Sequence, residues 1–249
     1  MKVIYHPRYQ EIYSSDPAAA AGRMESILKE VSPHFEVVAP EPAAVDDISL
    51  VHSDEHIQDI QRSGLTYEIA LLAAGGAIKA AELAIGGEPA FGVIRPPGHH
   101  ASRDRCWGFC FFNNMAISIA RMRKDGKIDR ALILDIDLHF GDGTDNIFRS
   151  VPEVVYFHPV GRDSEEYVDN ISQFLEGAEG DVVAVSAGFD RHEHDWGGLL
   201  ATEDYRKIGA LVKQFALKEC SGRRYGVLEG GYNHDVLGIN VRALLEGMS

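Results

Sequence analysis

ALILDIDLHFGDGT, residues 131–144, begins apolar enough to be a buried strand, yet it carries Asp135, Asp137 and His139 at every second position. Side chains alternate across a strand, so these three share one face and Leu134, Ile136 and Leu138 the other. A buried ionised carboxylate is costly unless it is paired or holds a metal. Two carboxylates and an imidazole converging at a strand end suit a divalent cation, which takes oxygen and nitrogen donors. Asp190, at the end of the next apolar run but one, is the candidate to complete the set from a neighbouring strand. An Asp2His arrangement leaves one coordination position open for water or substrate. Taken alone, D-x-D-x-H fits a solvated loop aspartate beside a structural histidine equally well.

Outward from that stretch, short apolar or β-branched runs alternate with longer helical patterns. The runs are KVIYH (2–6), AFGVIR (90–95), RALILDIDLH (130–139), VVYFH (154–158), DVVAVSAG (181–188) and RYGVLEGG (224–231). Between them, LTYEIALLAAGGAIKAAELAI (65–85), NNMAISIARMR (113–123) and TEDYRKIGALVKQFALKE (202–219) space their apolar residues near the helical period. Thr202, ahead of Glu203 and Asp204, reads as a capped helix start, and a last helix is expected after Asn233. This alternation predicts an α/β fold, an open and mostly parallel sheet with helices on both faces. No repeat, low-complexity tract or linker divides the chain, so a single domain over 1–249 is expected. Ligands of such sheets gather at the carboxyl ends of strands. Four runs here end in polar chemistry: AFGVI enters RPPGHH, ALILD enters DLHFGD, VVAVSAG enters FDRHEHD, and YGVLE enters GGYN.

His99 and His100 follow Arg95-Pro96-Pro97-Gly98, a stiff segment that fixes where both rings point. Paired imidazoles beside a metal divide the work of base and acid, because each ring titrates according to its own partner. Asp135 and Asp142 are available as those partners. Tyr232 follows two glycines in LEGGYN (228–233), where a phenol can donate to a developing oxyanion. GFCFF (108–112) offers Gly108, Phe109 and Phe111 to line an apolar slot. Each feature alone has a plainer reading: a surface dipeptide, a satisfied core tyrosine, an aromatic core run.

Together, RPPGHHA (95–101), GFCFFNN (108–114), LDIDLHFGDGT (134–144), SAGFDRHEHD (186–195) and LEGGYN (228–233) resemble the histone deacetylase family, which includes acetylpolyamine amidohydrolases and acetoin-utilisation proteins. HP (6–7) and VHSDEHI (51–57) are also similar. The likeness spans most of the chain, in order. It implies an arginase/deacetylase-like open α/β fold and zinc-dependent hydrolysis of N-acetyl amides on amines such as lysine side chains. Position by position, it implies that Asp137, His139 and Asp190 are the zinc ligands. His100 matches the general base and acid, His99 the ring beside it, and Asp142 and Asp135 the carboxylates that orient them. Tyr232 matches the phenol that polarises the carbonyl, and Phe109, with Gly108 beside it, one wall of the substrate channel. Zn2+ is the expected metal, with Fe2+ as the alternative occupant.

The chain also departs from the family pattern. Only HPVGRDSEEYVDNISQFLEGAEG (158–180) joins the fourth run to SAGFD, where the family carries a second aromatic wall. One wall is therefore expected to be missing or replaced and the pocket shorter and more open, with His158, Arg162 and Tyr167 as candidates to border it. The serine that helps hold a structural K+ in the family has no match in VVYFHPV, which leaves Asp135 and the backbone of Asp137 and His139 for such an ion. The segment between 57 and 68 is short, so no rim acid is assigned. His192 and His194 are expected beside the site or exposed, and Cys110 as a small packing residue near the pocket. His6, His34, His52, His56 and His234 receive no role from spacing.

With 38 Asp and Glu against 24 Lys and Arg, the formal net charge is −14. That disfavours nucleic acid as a direct partner and favours a cationic or neutral one: a small acylated amine or an acetyl-lysine peptide. Three cysteines without a C-x-x-C pair fit a reducing, cytoplasmic setting. No signal-like N-terminus or membrane-length apolar run is expected, and no feature specifies an oligomeric state. Two rival readings share the sequence: a ureohydrolase, which wants two metals and more acidic ligands, and a non-catalytic metal or acyl-ligand binder, which has no use for a proton shuttle.

Overall fold

In a computed structural model covering residues 1–249, seven strands form one fully parallel sheet. They are β1 (Lys2–Ile4), β2 (Glu36–Val38), β3 (Ala90–Gly92), β4 (Ala131–Asp135), β5 (Val154–Phe157), β6 (Val182–Ala187) and β7 (Arg224–Leu228), in the order β2-β1-β3-β7-β6-β4-β5. The interior strands β3, β4, β6 and β7 are buried along their whole length, so they read as continuous apolar runs rather than as alternating ones. The edge strand β2 is largely exposed and only three residues long, which is why no apolar run announces it.

The strand order gives the sequence pattern its meaning. The four runs that end in polar chemistry are β3, β7, β6 and β4, contiguous at the centre of the sheet. Their carboxyl ends therefore open onto one common edge. The predicted strands are shorter than expected at these ends: β4 stops at Asp135, and Asp137 and His139 lie in the loop beyond it. The register of that loop is still fixed by the neighbouring strand, since the Ile136 N–H donates to the Ser186 carbonyl on β6 (3.0 Å).

Helices cover both faces. On one side α1 (Arg23–Val31) packs on α9 (His234–Met248), α9 on α8 (Thr202–Glu219), and α8 on α7 (Ser164–Glu176). On the other side α4 (Leu65–Ile85) lies against α5 (Asn114–Lys124) and strands β3 and β7. Five shorter helical segments complete the set, among them α2 (Val45–Ile48), α3 (Asp54–Gln61) and α6 (Asp142–Phe148). Helix α4 is rich in Ala and Gly because it has neighbours nearly all round. A Cβ on Gly75 would strike the Glu41 carbonyl oxygen. Asn113 and Asn233 cap α5 and α9, each accepting a backbone N–H. Helix α8 starts as predicted at Thr202 but is not capped by it: Ala201 is the flanking residue, its N–H donates to Asp204 Oδ2 (3.0 Å), and the Thr202 hydroxyl donates to Asn240 on α9 (2.6 Å). The segment read as a plain join at 158–180 contains α7, whose Tyr167, Ile171 and Leu175 form a buried stripe. No helix is long and apolar enough to cross a membrane.

His52 and His56, left without a role by spacing, are structural anchors. The His52 Nδ1–H donates to the Ser102 carbonyl (2.9 Å), and its Nε2 accepts the Asn113 N–H (2.9 Å). Nε2 of His56 meets the Phe111 carbonyl at 2.8 Å. Both histidines thus hold the 108–114 loop from behind. Burial, then the neighbouring His56 ring, pushes the His52 pKa down to about 4. The unfolded chain therefore takes up a proton at His52 before the folded one does, and this contribution to stability is present at neutral pH and lost as pH falls from roughly 6.5 towards the folded value. Between pH 7 and about pH 5 urea unfolding should show the wild type losing about 2 kcal/mol more than His52→Gln. Parallel pH profiles for the two proteins would contradict this.

Candidate active site

The common edge of β3, β7, β6 and β4 holds a cleft of about 130 Å3, lined by Pro97, His99, His100, Trp107, Gly108, Phe109, His139, Trp196, Gly230 and Tyr232. At its floor, Asp137, His139 and Asp190 bring three donor atoms within 4.8 Å of one another. His139 Nδ1 lies 3.3 Å from Asp137 Oδ1 and 3.2 Å from Asp190 Oδ2. Those separations are close to the edge of a tetrahedron built on bonds of about 2.0–2.1 Å, the length zinc takes to nitrogen and oxygen. The other carboxylate oxygens are occupied. Asp137 Oδ2 accepts the Gly230 N–H (2.8 Å) and Asp190 Oδ1 the Leu138 N–H (3.0 Å). Asp190 Oδ2 is buried without a hydrogen-bond partner. An oriented, fully buried carboxylate oxygen with no donor of its own fits a divalent cation.

Strand alternation explains this grouping only in part, because the 136–139 loop supplies two of the three. What brings Asp137 and His139 round is a local turn: the Asp137 N–H donates to Asp135 Oδ1 (3.1 Å) and the His139 N–H to Asp137 Oδ1 (2.9 Å). Close packing does the rest, since a side chain at Gly188 would overlap Asp137.

Each tandem imidazole has its own carboxylate. His99 Nδ1 donates to Asp135 Oδ2 (3.1 Å), and His100 Nδ1 to Asp142 Oδ1 (2.7 Å). Both Nδ1 atoms being committed, the Nε2 atoms are the free ends. Burial lowers the pKa of both rings. In His99 the charges of Asp137 and Asp135 outweigh it and hold the ring well above the ordinary histidine range. In His100 burial wins, helped by the neighbouring His99, and its pKa falls. Divergent environments for two adjacent titratable groups are the usual arrangement where one holds charge and the other exchanges protons. Burial also raises the Tyr232 phenol, which stays protonated and able to donate.

Sequence reasoning missed several members. Glu229, the acid of LEGGYN, is fully buried; its Oε2 accepts the N–H groups of Gly98 (2.6 Å) and His99 (3.2 Å), and burial pushes its pKa up to about 7. Arg23, in no motif, is fully buried and donates to the carbonyls of Gly231 (2.8 Å) and Glu229 (2.6 Å), pinning the turn that presents Tyr232. Tyr156 donates to Asp135 Oδ2 (2.9 Å) and accepts the Gly141 N–H (2.8 Å). Trp107 stacks on His100 with ring centres 3.9 Å apart and donates to both Asp142 oxygens.

Trp196 is a further aromatic wall of the cleft. Its ring stacks on Tyr232 (4.1 Å, 25°), and it stands edge-on to His139. Opposite, Phe109 meets Tyr232 edge-on at 6.0 Å. Phe109 holds φ at 67°, a left-handed conformation that costs a phenylalanine about 1–3 kcal/mol. Gly108 before it is also left-handed, and a Cβ there would come within 2.5 Å of the His100 ring. None of His158, Arg162 and Tyr167 borders the cleft. His158 faces Phe140 and Arg191, Tyr167 is buried against Arg191, and Arg162 lines a separate polar groove with Asp163 and Glu166. His192 is buried beside Tyr205 and His194 is exposed; neither reaches the metal cluster. Phe111 lies outside the cleft lining, and Cys110 is buried with Sγ 3.5 Å from the His100 nitrogen.

The histone deacetylase domain matches this chain over residues 16–167 and 158–248. The chain belongs to the histone deacetylase family. A probable deacetylase of Methanothermobacter thermautotrophicus is 31% identical across 100% of this chain and 90% of its own length. A histone deacetylase-like amidohydrolase of Pseudomonas aeruginosa is 28% identical over 94% of this chain and 78% of its own. Among solved structures, the HDA15 HD domain superposes with a TM-score of 0.85 at 21% identity, over 98% of this chain and 88% of that one, and shares the fold. As a member of the histone deacetylase family the chain is an amide hydrolase.

Zinc titration of the metal-stripped histone deacetylase homologue should saturate at about one ion per chain, and Asp190→Ala should abolish that uptake. Uptake of two ions, or undiminished uptake by the variant, would contradict the assignment of the floor of the cleft.

Proposed function

We propose that this protein removes acetyl or related short acyl groups from amines, as a metal-dependent deacetylase acting on acetylated lysine side chains or small acylated amines. One observation carries the reading: the Asp137–His139–Asp190 cluster, the His100–Asp142 pair and the Tyr232 phenol converge in one narrow, aromatic-walled cleft. Asp137, His139 and Asp190 would hold a divalent cation, zinc or ferrous iron, which would supply Lewis acidity toward a water and the amide oxygen.

The remaining work falls to side chains. His100 donates through Nδ1 to Asp142, which leaves Nε2 to take a proton from the attacking water and return it to the departing amine. His99, tied to Asp135, places charge beside that step. Tyr232 donates to the amide oxygen as negative charge gathers there. Trp107, Phe109, Trp196 and Tyr232 give an unbranched alkyl chain an apolar sleeve, and Trp107 and Trp196, each 53% exposed, set its mouth. An indole face at the rim also suits an ammonium group, in keeping with a net charge of −14.

The two-metal alternative needs a second oxygen-rich donor set about 3.5–4 Å from the first. The other donor cluster here is His99, Cys110 and Glu229, whose His99 and Glu229 are already committed to Asp135 and to two backbone N–H groups. A mere binder has no need of the His100–Asp142 pair. Tyr232→Phe should keep the metal content and lower kcat on an acetyl-lysine peptide about 100- to 1,000-fold. Unchanged turnover would remove the proposed role, and no turnover by the wild type on acetyl-lysine peptides, acetylpolyamines or other acyl amides would sink the deacetylase reading.

A further inference from the structure

Behind the metal cluster stands a second positive charge. Arg191 follows Asp190 directly, and its side chain passes beneath the 136–139 loop. There Nη2 donates to the carbonyl oxygens of Asp137 (2.9 Å) and Leu138 (3.0 Å). The same nitrogen meets Nε2 of His158 at 3.2 Å, and the guanidinium carbon lies 4.8 Å from the centre of the Tyr167 ring. Its partners are thus two backbone carbonyls, an imidazole nitrogen and an aromatic face, not a carboxylate. That is the company a bound monovalent cation keeps.

The surroundings are rich in buried negative charge. Asp135, Asp137 and Asp190 are all essentially inaccessible to solvent. A divalent cation on Asp137 and Asp190 balances two of the three, and the His99 ring lies against the third, Asp135, at 3.1 Å. A structural K+ drawing on Asp135 and the backbone of Asp137 and His139 is the alternative occupant of this place behind the loop. The residues present do not fit that ion. Asp135 Oδ1 accepts the Asp137 N–H, Asp135 Oδ2 accepts from both His99 and Tyr156, and the Asp137 carbonyl is taken by Arg191.

We infer that Arg191 is a tethered counter-ion that replaces a free monovalent cation behind the metal cluster, and a positioning residue that fixes the loop carrying Asp137 and His139. The guanidinium is covalently attached, so its effective concentration beside the loop does not depend on the medium. Its Nη2 alone serves the two adjacent carbonyls. The chain therefore needs no potassium to hold its metal ligands in place. The kinetic part of the test rests on the deacetylase reading; the stability part does not.

The wild type should melt at the same temperature, within about 1 °C, in potassium chloride, sodium chloride and tetramethylammonium chloride at fixed ionic strength, because an ion that binds only the folded state would raise the midpoint with its concentration. Its kcat on an acetyl-lysine peptide should likewise differ by less than about twofold among the three salts. Arg191→Ala should lower kcat about 10- to 100-fold with KM little changed, and should acquire a saturable response to potassium chloride or to low concentrations of guanidinium. Arg191→Lys should recover most of the activity and remain indifferent to the salt. A saturable rise of the wild-type melting temperature or kcat with potassium would overturn the inference, as would wild-type kcat for Arg191→Ala in tetramethylammonium chloride. If Arg191→Ala does not fold, the wild-type melting series still decides. If the wild type turns over no acyl amide, the deacetylase reading falls while that same series continues to test Arg191.

Discussion

Three carboxylates with essentially no access to water, Asp135, Asp137 and Asp190, sit at the carboxyl edge of β4 and β6, and the rest of the site is arranged to make that tolerable. An isolated buried carboxylate would cost far more than the few kcal/mol by which a domain is stable, so each oxygen requires a donor or a cation. Backbone N–H groups of Asp137, Leu138, His139 and Gly230 serve four of these demands. His99 and Tyr156 serve Asp135. Asp190 Oδ2, left without a donor, points at the position where a metal completes the set. The sheet order makes this possible, because β6 lies directly beside β4 and carries Asp190 to within reach of a loop more than fifty residues earlier in the chain.

The same edge depends on struts that do no chemistry themselves. Glu229 ties the end of β7 to the backbone of Gly98 and His99, and so joins the tandem imidazoles to the turn that presents Tyr232. Arg23, at the start of α1, closes the turn through two carbonyls. His52 and His56 brace the loop that bears Phe109 in its strained conformation. Strain at a cleft wall persists only where the surroundings over-determine it, and the buried bonds of these histidines supply that constraint.

Most of this edge was legible in the sequence because strand ends and burial leave a written trace. Asp135, Asp137, His139 and Asp190 stood out as acids and an imidazole attached to apolar runs, and four such runs proved contiguous in the sheet. The strand-face argument reached the right grouping by a partly wrong route, since β4 ends at Asp135 and the loop geometry comes from backbone bonds that periodicity does not encode. Glu229 carried a usable signal, an acid directly after an apolar strand, the same mark that singled out Asp135. Arg23, Tyr156 and Arg191 carried none: their partners are backbone carbonyls or side chains distant in sequence, and only the fold brings them together. Trp196 lies one residue beyond a motif whose histidines drew attention first. The helix α7 was hidden inside a segment read for what it lacked rather than for its own periodicity.

Hydrolysis in this cleft requires a single cation among Asp137, His139 and Asp190 with the His100 and Tyr232 side chains facing it. A crystal structure grown with zinc and a small alkyl hydroxamate, with data collected at the zinc absorption edge, tests this directly. The expected result is one anomalous peak at bonding distance from those three side chains, with the hydroxamate between the peak, His100 and Tyr232 and its alkyl chain running between Phe109 and Trp196. A cleft without an anomalous peak at saturating zinc, or a hydroxamate seated away from His100 and Tyr232, would contradict it.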